Sequence, residues 1–228
     1  MSFNIANFHF RSNILLKNVH ANYIKQLNAI SKIEKLKKGA VLYQEKTNPR
    51  GVYFVKRGKV KIEQCNEEGA TRILYVYSAG EFFGFRPLLC NELHPVSAIV
   101  LENSEVEIYE GNEFIKIARR SPYLSFNLVE ILSFEFTVWT NFITSLTHKS
   151  AKERVALILL ILNEKYKTDD RPGNITMSKM DIAAYSDTSE ETVVRVISFF
   201  QEQGIVKNYG RKFSIVNKEM LEVIAEGF

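Results

Sequence analysis

The 228-residue chain is long for one small domain and comfortable for two, and 46% hydrophobic with 25% charged residues is the composition of a globular protein. The longest aliphatic block, "VALILLIL" from Val155, is too short to span a bilayer, and Cys65 and Cys90 make neither a disulfide framework nor a metal spacing. Net charge is +4, but residues 149–228 hold 12 Lys+Arg against 12 Asp+Glu, so charge alone does not point to nucleic acid.

The opening "MSFNIANFHFRSN" has no secretory n-region and h-region, so a reducing cytoplasm is the expected setting. A short helix is expected over Ala21 to Ile30. From Ile33 to about Tyr109 the chain alternates apolar and polar residues, as in "VYFVKRGKVKIEQC" and "TRILYVYSAGEFFG". Gly39, Gly51, Gly58, Gly69, Gly80 and Gly84 punctuate it at turn spacing, which predicts an antiparallel sandwich or barrel.

At Pro122 the pattern changes, and no Gly or Pro interrupts the chain from there to His148. Leu128, Leu132, Phe136, Trp139, Ile143 and Leu146 recur at steps of four or three, a helical stripe. Phe126, Val129, Phe134, Val138 and Phe142 add apolar surface beside it. Such a helix is either the core of one domain or packed on its own sheet and a second subunit; its length favours the second reading. Leu128 through Leu146 is then the expected seam, with Glu135, Val138 and Phe142 as a rival register.

Lys149 to Lys167 reads as a further helix and "KTDDRPGN" as a turn-rich linker. Ser178 caps a helix running to about Tyr185, with Asp181 in its first turn. Asp187 sits in the turn, and Ser189 caps the next helix. That helix buries Val193, Val196, Ile197 and Phe200 and stops at Gly204. "IVKN", "YG" and "RKFSIV" form a hairpin. Helix, turn, helix and hairpin make a winged helix-turn-helix.

The sequence here resembles the Crp/Fnr family of bacterial transcription regulators over nearly its whole length. "MSKMDIAAYSDTSEETVVRV", residues 177–196, is similar to the family's DNA-binding signature; "GEFFGFRPLL" and "HPVSAIVLENSEVEI" resemble its effector-domain cassette and the strand after it. The resemblance implies an α+β protein: an N-terminal β-roll (a cyclic-nucleotide-binding-like jelly roll) over 1–121, a dimerisation helix over 122–148, and a winged helix-turn-helix over 149–228. It implies a homodimer on an inverted repeat in double-stranded DNA, contact with RNA polymerase, and no membrane. In the family the second helix enters the major groove, which here presents Glu190, Glu191, Val194 and Arg195. A carboxylate accepts from cytosine N4 and a guanidinium takes guanine O6 and N7; the competing reading of Glu191 and Arg195 is an i,i+4 salt bridge. Ser178, Lys179 and Ser189 at helix starts, and Lys207, Arg211 and Lys212 in the wing, are candidate phosphate contacts. Glu190 stands where the cyclic-AMP branch has a base-contacting Arg, so a different half-site is expected.

The effector half departs further. Cyclic-AMP binders resemble one another in a Glu after the cassette glycine and an Arg-Ser pair on the phosphate. Here Phe85 follows Gly84, and Val96 precedes Ser97. Two cysteines do not hold the four-cysteine cluster of the oxygen-sensing branch. His9, His20, His94 and His148 leave haem open, though each reads more simply as a surface residue. Phe83, Gly84, Phe85, Arg86, Leu88, Ser97, Trp139 and Thr140 are the candidate pocket, which suits an unknown small-molecule effector such as an aromatic or acyl anion; an empty pocket fits equally. No certain cofactor and no metal site are expected. Neither a nucleophile-base constellation nor a phosphate loop is present, so no enzymatic activity is expected. The alternative function is a cyclic-nucleotide-binding-like module acting through protein partners.

Overall fold

The computed structural model describes residues 3–167, 173–210 and 212–227. They form two compact units, Phe10–Phe136 and the described parts of Met1–His9 with Thr137–Phe228.

The first unit begins with helix α1 (Ala21–Ala29), followed by strands β1 (Ser31–Leu36), β2 (Val41–Tyr43), β3 (Gly51–Arg57), β4 (Lys59–Cys65), β5 (Thr71–Ser78) and β6 (Phe82–Phe83). Helix α2 (Phe85–Cys90), β7 (Ser97–Val100), β8 (Ser104–Glu110) and α3 (Gly111–Arg120) complete the roll. Two four-stranded antiparallel sheets result, ordered β1-β8-β3-β6 and β2-β7-β4-β5. The alternation seen in the sequence decides the faces. In β4, Val60 and Ile62 are buried, while Lys61 and Glu63 turn outward and pair at 2.7 Å.

Helix α4 runs unbroken over Pro122–His148. Its first half lies in the roll unit, where Leu124, Leu128 and Ile131 join Leu15, Leu27, Val52, Phe85, Tyr109 and Phe114 in one apolar cluster. Asn127 Nδ2 donates to Leu15 O at 2.9 Å and Lys17 O at 2.8 Å, so its one buried amide is satisfied. The two compact units meet within this helix, between Phe136 and Thr137.

The second unit holds the rest of α4, then α5 (Ala151–Tyr166), α6 (Lys179–Ser186), α7 (Glu190–Glu202), the hairpin β9 (Val206–Tyr209) and β10 (Lys212–Ile215), and α8 (Lys218–Glu226). Ser150 and Glu153 form a capping box at the start of α5. Residues 168–172 of the expected linker lie outside the described residues. Residues 3–9 also belong to this unit. Phe8 meets Phe142 edge-on at 5.5 Å, Phe142 stacks on Tyr185 of α6 at 5.9 Å, and Asn141 Nδ2 donates to Asn7 O at 3.0 Å.

The expected stripe on α4 needs correction. Leu128 is 4% exposed and lies in the roll core; Leu132 packs partly against it; Trp139 and Leu146 are half-buried. Glu135, Val138 and Phe142, the rival register, are buried within the chain. Beyond Tyr123 in the first turn, the exposed large apolar positions are Phe126 at 66%, Val129 at 59%, Phe136 at 74% and Ile143 at 61%. With exposed Ser133, Thr140 and Thr147 between them, they repeat at alternating steps of three and four. The stripe read from sequence is rotated by part of a turn because these small polar residues interrupt the apolar letters. Their hydroxyls are not idle: Ser133 Oγ donates to Val129 O at 2.9 Å and Thr147 Oγ1 to Ile143 O at 3.0 Å.

Candidate nucleic-acid interface

Each helix of the α6–α7 pair has its first turn closed by its own cap. Ser178 Oγ accepts from Asp181 N at 3.0 Å, and Ser189 Oγ accepts from Thr192 N at 3.2 Å. Between them Asp187 adopts φ 52°, and its N–H donates to Ala183 O. That left-handed turn is unfavourable for most side chains and tolerable for Asp. The inner face of α7 carries Val193, Val196, Ile197 and Phe200, all buried.

The outer face of α7 carries Glu190, Glu191, Val194 and Arg195, all exposed. Among the described residues, Glu191 and Arg195 make no ion pair or hydrogen bond with each other or with anything else. A carboxylate and a guanidinium one turn apart on a capped helix therefore keep their full hydrogen-bonding capacity. Ser198 and Phe199 extend this exposed face one turn further, and Lys152 Nζ stands 5.3 Å from the Phe199 ring. A lone Ser in a helix carries no pattern that would mark Ser198 in the sequence.

Ser178, Lys179 and Ser189 are exposed at the two helix starts. In the wing, Lys207 and Lys212 are exposed on neighbouring strands, with Lys207 opposite Ser214 and Lys212 opposite Tyr209. Arg211 lies outside the described residues. Ile175 and Phe213 exchange two backbone hydrogen bonds at 2.9 and 3.2 Å, anchoring the hairpin.

The candidate effector residues lie in several different surroundings. Gly84, at φ 83°, permits the turn into α2, and a Cβ there would stand 2.6 Å from the Tyr53 ring. Phe85 is buried in the core cluster with α4. Phe83 lies against Tyr77 at 4.7 Å and Tyr53 at 5.2 Å, and Tyr43 stacks on His94 at 3.7 Å. His94 is therefore not a surface residue. Burial without a charge partner lowers its pKa to about 4, so the imidazole stays neutral. Burial, helped by Lys165, lowers His9 further, to about 3. Ser97 Oγ accepts from Glu45 N at 3.0 Å. Leu88 faces a groove of about 380 Å³ that it shares with Ile115, Leu128 and Leu132, not a site inside the roll. Trp139 and Thr140 lie beyond Phe136 in the second unit; Trp139 stands 6.3 Å from Phe142 and Thr140 is exposed.

Arg86, the one cation expected in the pocket, has a partner. Its Nε lies 3.5 Å from Glu135 Oε2, and neither Glu135 oxygen has a hydrogen-bond donor among the described residues. Burial raises the Glu135 pKa to about 7; Arg86 opposes the rise and Glu81 adds to it. No group of three or more His, Cys, Asp or Glu among the described residues is placed to hold a metal ion, and none of their helices is long and apolar enough to cross a membrane.

A cyclic nucleotide-binding domain model matches residues 33–121 and a Crp-like helix-turn-helix domain model matches residues 153–224, together more than half of the chain. The fumarate and nitrate reduction regulatory protein of Yersinia pestis is 27% identical over 201 residues, 87% of this chain and 80% of that protein. The transcriptional activator protein Anr of Pseudomonas protegens is 27% identical over 211 residues, 90% of this chain and 86% of that protein. Among solved structures, FixK2 from Bradyrhizobium japonicum superposes with a TM-score of 0.78 at 23% identity, covering 86% of this chain and 97% of that one. A CooA mutant from Carboxydothermus hydrogenoformans gives 0.70 at 18% identity, covering 96% and 99%; both likenesses speak for the fold. With an antiparallel roll, a long helix and a capped helix-turn-helix that carries an unengaged Glu and Arg on its outer face, the chain belongs to the Crp/Fnr family of DNA-binding transcription regulators.

Proposed function

We propose that the protein acts as a homodimer on an inverted repeat of duplex DNA, with one α7 in the major groove of each half-site. The observation that carries this reading is the unengaged state of Glu191 and Arg195 on an otherwise well-satisfied helix. In this reading Arg195 takes guanine O6 and N7, Glu191 accepts from cytosine N4, and Val194 makes the apolar contact. Ser178, Lys179, Ser189, Lys207, Arg211 and Lys212 hold phosphates and set the register, and Glu190 repels the phosphates near it. The domain roles are a sensing roll over 1–121, a dimer helix over 122–148 and a DNA reader over 149–228, in the cytoplasm, with RNA polymerase as the further partner. The seam is Phe126, Val129, Ser133, Phe136, Thr140, Ile143 and Thr147, whose exposure in the single chain leaves an apolar strip to cover. Selection from a random duplex pool tests the reading: a two-fold symmetric site is expected, and a pool without symmetry contradicts it.

Neither cyclic AMP nor an iron-sulfur cluster governs this protein in our reading. Tyr43, Tyr53, Tyr77 and Phe83 are buried in the roll, and the Glu135 carboxyl stands 3.5 Å from Arg86 Nε, so a cyclic phosphate would have to compete for that guanidinium. Cys65 and Cys90 are both exposed and supply half the thiolates a cluster takes.

A further inference from the structure

Arg154 starts in the first turns of α5, but its guanidinium serves other elements. Nε donates to Ser186 O, Nη2 to Asp187 O and Nη1 to Lys149 O, each at 2.8 Å. Ser186 is the last residue of α6 and Asp187 its left-handed cap. Lys149 follows the last residue of α4. One planar group thus binds carbonyls at the C-terminal ends of two helices, where such carbonyls lack partners within the helix and the dipole is negative. Both ends are otherwise fixed. Lys149 N donates to Ser145 O at 3.2 Å and Lys149 Nζ to Glu226 O at 3.3 Å, while Thr188 N donates to Ala183 O at 3.1 Å. The rigid fork of an arginine spans three such acceptors in one plane; a lysine ammonium, a point charge on a flexible stem, does not.

We propose that Arg154 is the positioning residue that locks the helix-turn-helix turn to the end of the long helix, and so sets which half-site spacing the dimer accepts. This rests on the dimeric DNA-binding reading above. Half-site spacing is a geometric property of the dimer: it follows from how each reading helix is held on the shared axis. Releasing the clamp frees α7 to turn about the α4–α5 junction while leaving its own base-facing side chains intact.

The test compares full-length wild type, Arg154→Lys and Arg154→Met. Each is titrated against the selected inverted repeat and against repeats whose spacer is changed by one or two base pairs. Hydrogen exchange of the Thr188 and Asp187 amides is followed without DNA. The wild type is expected to prefer one spacing, and both variants to lose about tenfold of that preference while keeping their base preference within a half-site. Exchange at the two amides should quicken in both. Loss in Arg154→Lys separates the clamp from simple attraction to phosphate, since lysine keeps the charge. Variants with wild-type spacing preference or wild-type exchange overturn the proposal, and so does loss of folding in both variants, which makes Arg154 a plain stability residue. If the wild type itself selects no inverted repeat, the dimeric reading fails, and with it the spacing role; unchanged exchange would then remove the clamp as well.

Discussion

Arg86 Nε and Glu135 Oε2 stand 3.5 Å apart, and Glu135 is 2% exposed. The carboxyl comes from the long helix and the guanidinium from α2 of the roll, so the pair ties these two elements together. Removing one member of such a pair leaves the other uncompensated. The consequences are measurable in stability and in ligand binding.

The Glu135 pKa is raised from 4.5 to about 7. Below about pH 4.5 the group is protonated in both states and its contribution to stability is complete. As pH rises toward 7 the unfolded chain loses this proton first, so stability falls through that window. Glu135→Gln removes the titration. Thermal melts should show the variant gaining on the wild type by about 1–3 kcal/mol between pH 4.5 and pH 8. Parallel curves would show that Glu135 does not titrate there.

Cyclic AMP should give no saturable heat in calorimetry at millimolar concentration. The rings of Tyr43, Tyr53, Tyr77 and Phe83 occupy the roll interior and Val96 precedes Ser97 in place of an Arg. A micromolar dissociation constant would mean that these rings move aside.

Phe136→Glu should sediment as a monomer at a concentration where the wild type is a dimer, with its melting temperature as a single chain little changed. Burying an aromatic at a two-fold seam contributes roughly 1.5–3 kcal/mol per subunit, and a pair of carboxylates reverses it. Leu128→Glu should instead unfold the roll, because Leu128 is already in a core. A dimeric Phe136→Glu would place the interface elsewhere.

Phe8→Ala should destabilise the second unit by about 3 kcal/mol, since Phe8 is buried and packs on Phe142, which in turn stacks on Tyr185. Hydrogen exchange should quicken in α6 and leave β4 and β5 unchanged. Uniform change in both units would deny the N-terminal segment this local role.

Much of this was legible in the letters. The roll strands, the limits of α4, the caps Ser178 and Ser189, the left-handed Asp187 and the buried face of α7 follow from local rules of period, capping and turn chemistry. What escaped depended on distant partners. Arg86 reads as an anion receptor until Glu135, 49 positions later, is placed beside it. No local pattern marks Arg154; only the fold brings three carbonyls to its fork. The exposed strip of α4 is offset from the stripe that the letters suggest, because Ser133, Thr140 and Thr147 break the apolar pattern that marks a helix face. His94 looked like a surface residue because nothing local foretells its stacking on Tyr43.

The central claim is that α7 reads bases through Arg195. Its most direct measurement is the affinity of wild type and Arg195→Ala for the selected site and for every single base-pair substitution in one half-site, at fixed salt. The account predicts a loss of about 1–3 kcal/mol on the selected site, with discrimination relaxed at one guanine per half-site and retained elsewhere. A uniform loss across all sequences, or none at all, would reduce Arg195 to a phosphate contact or a surface charge and contradict the account.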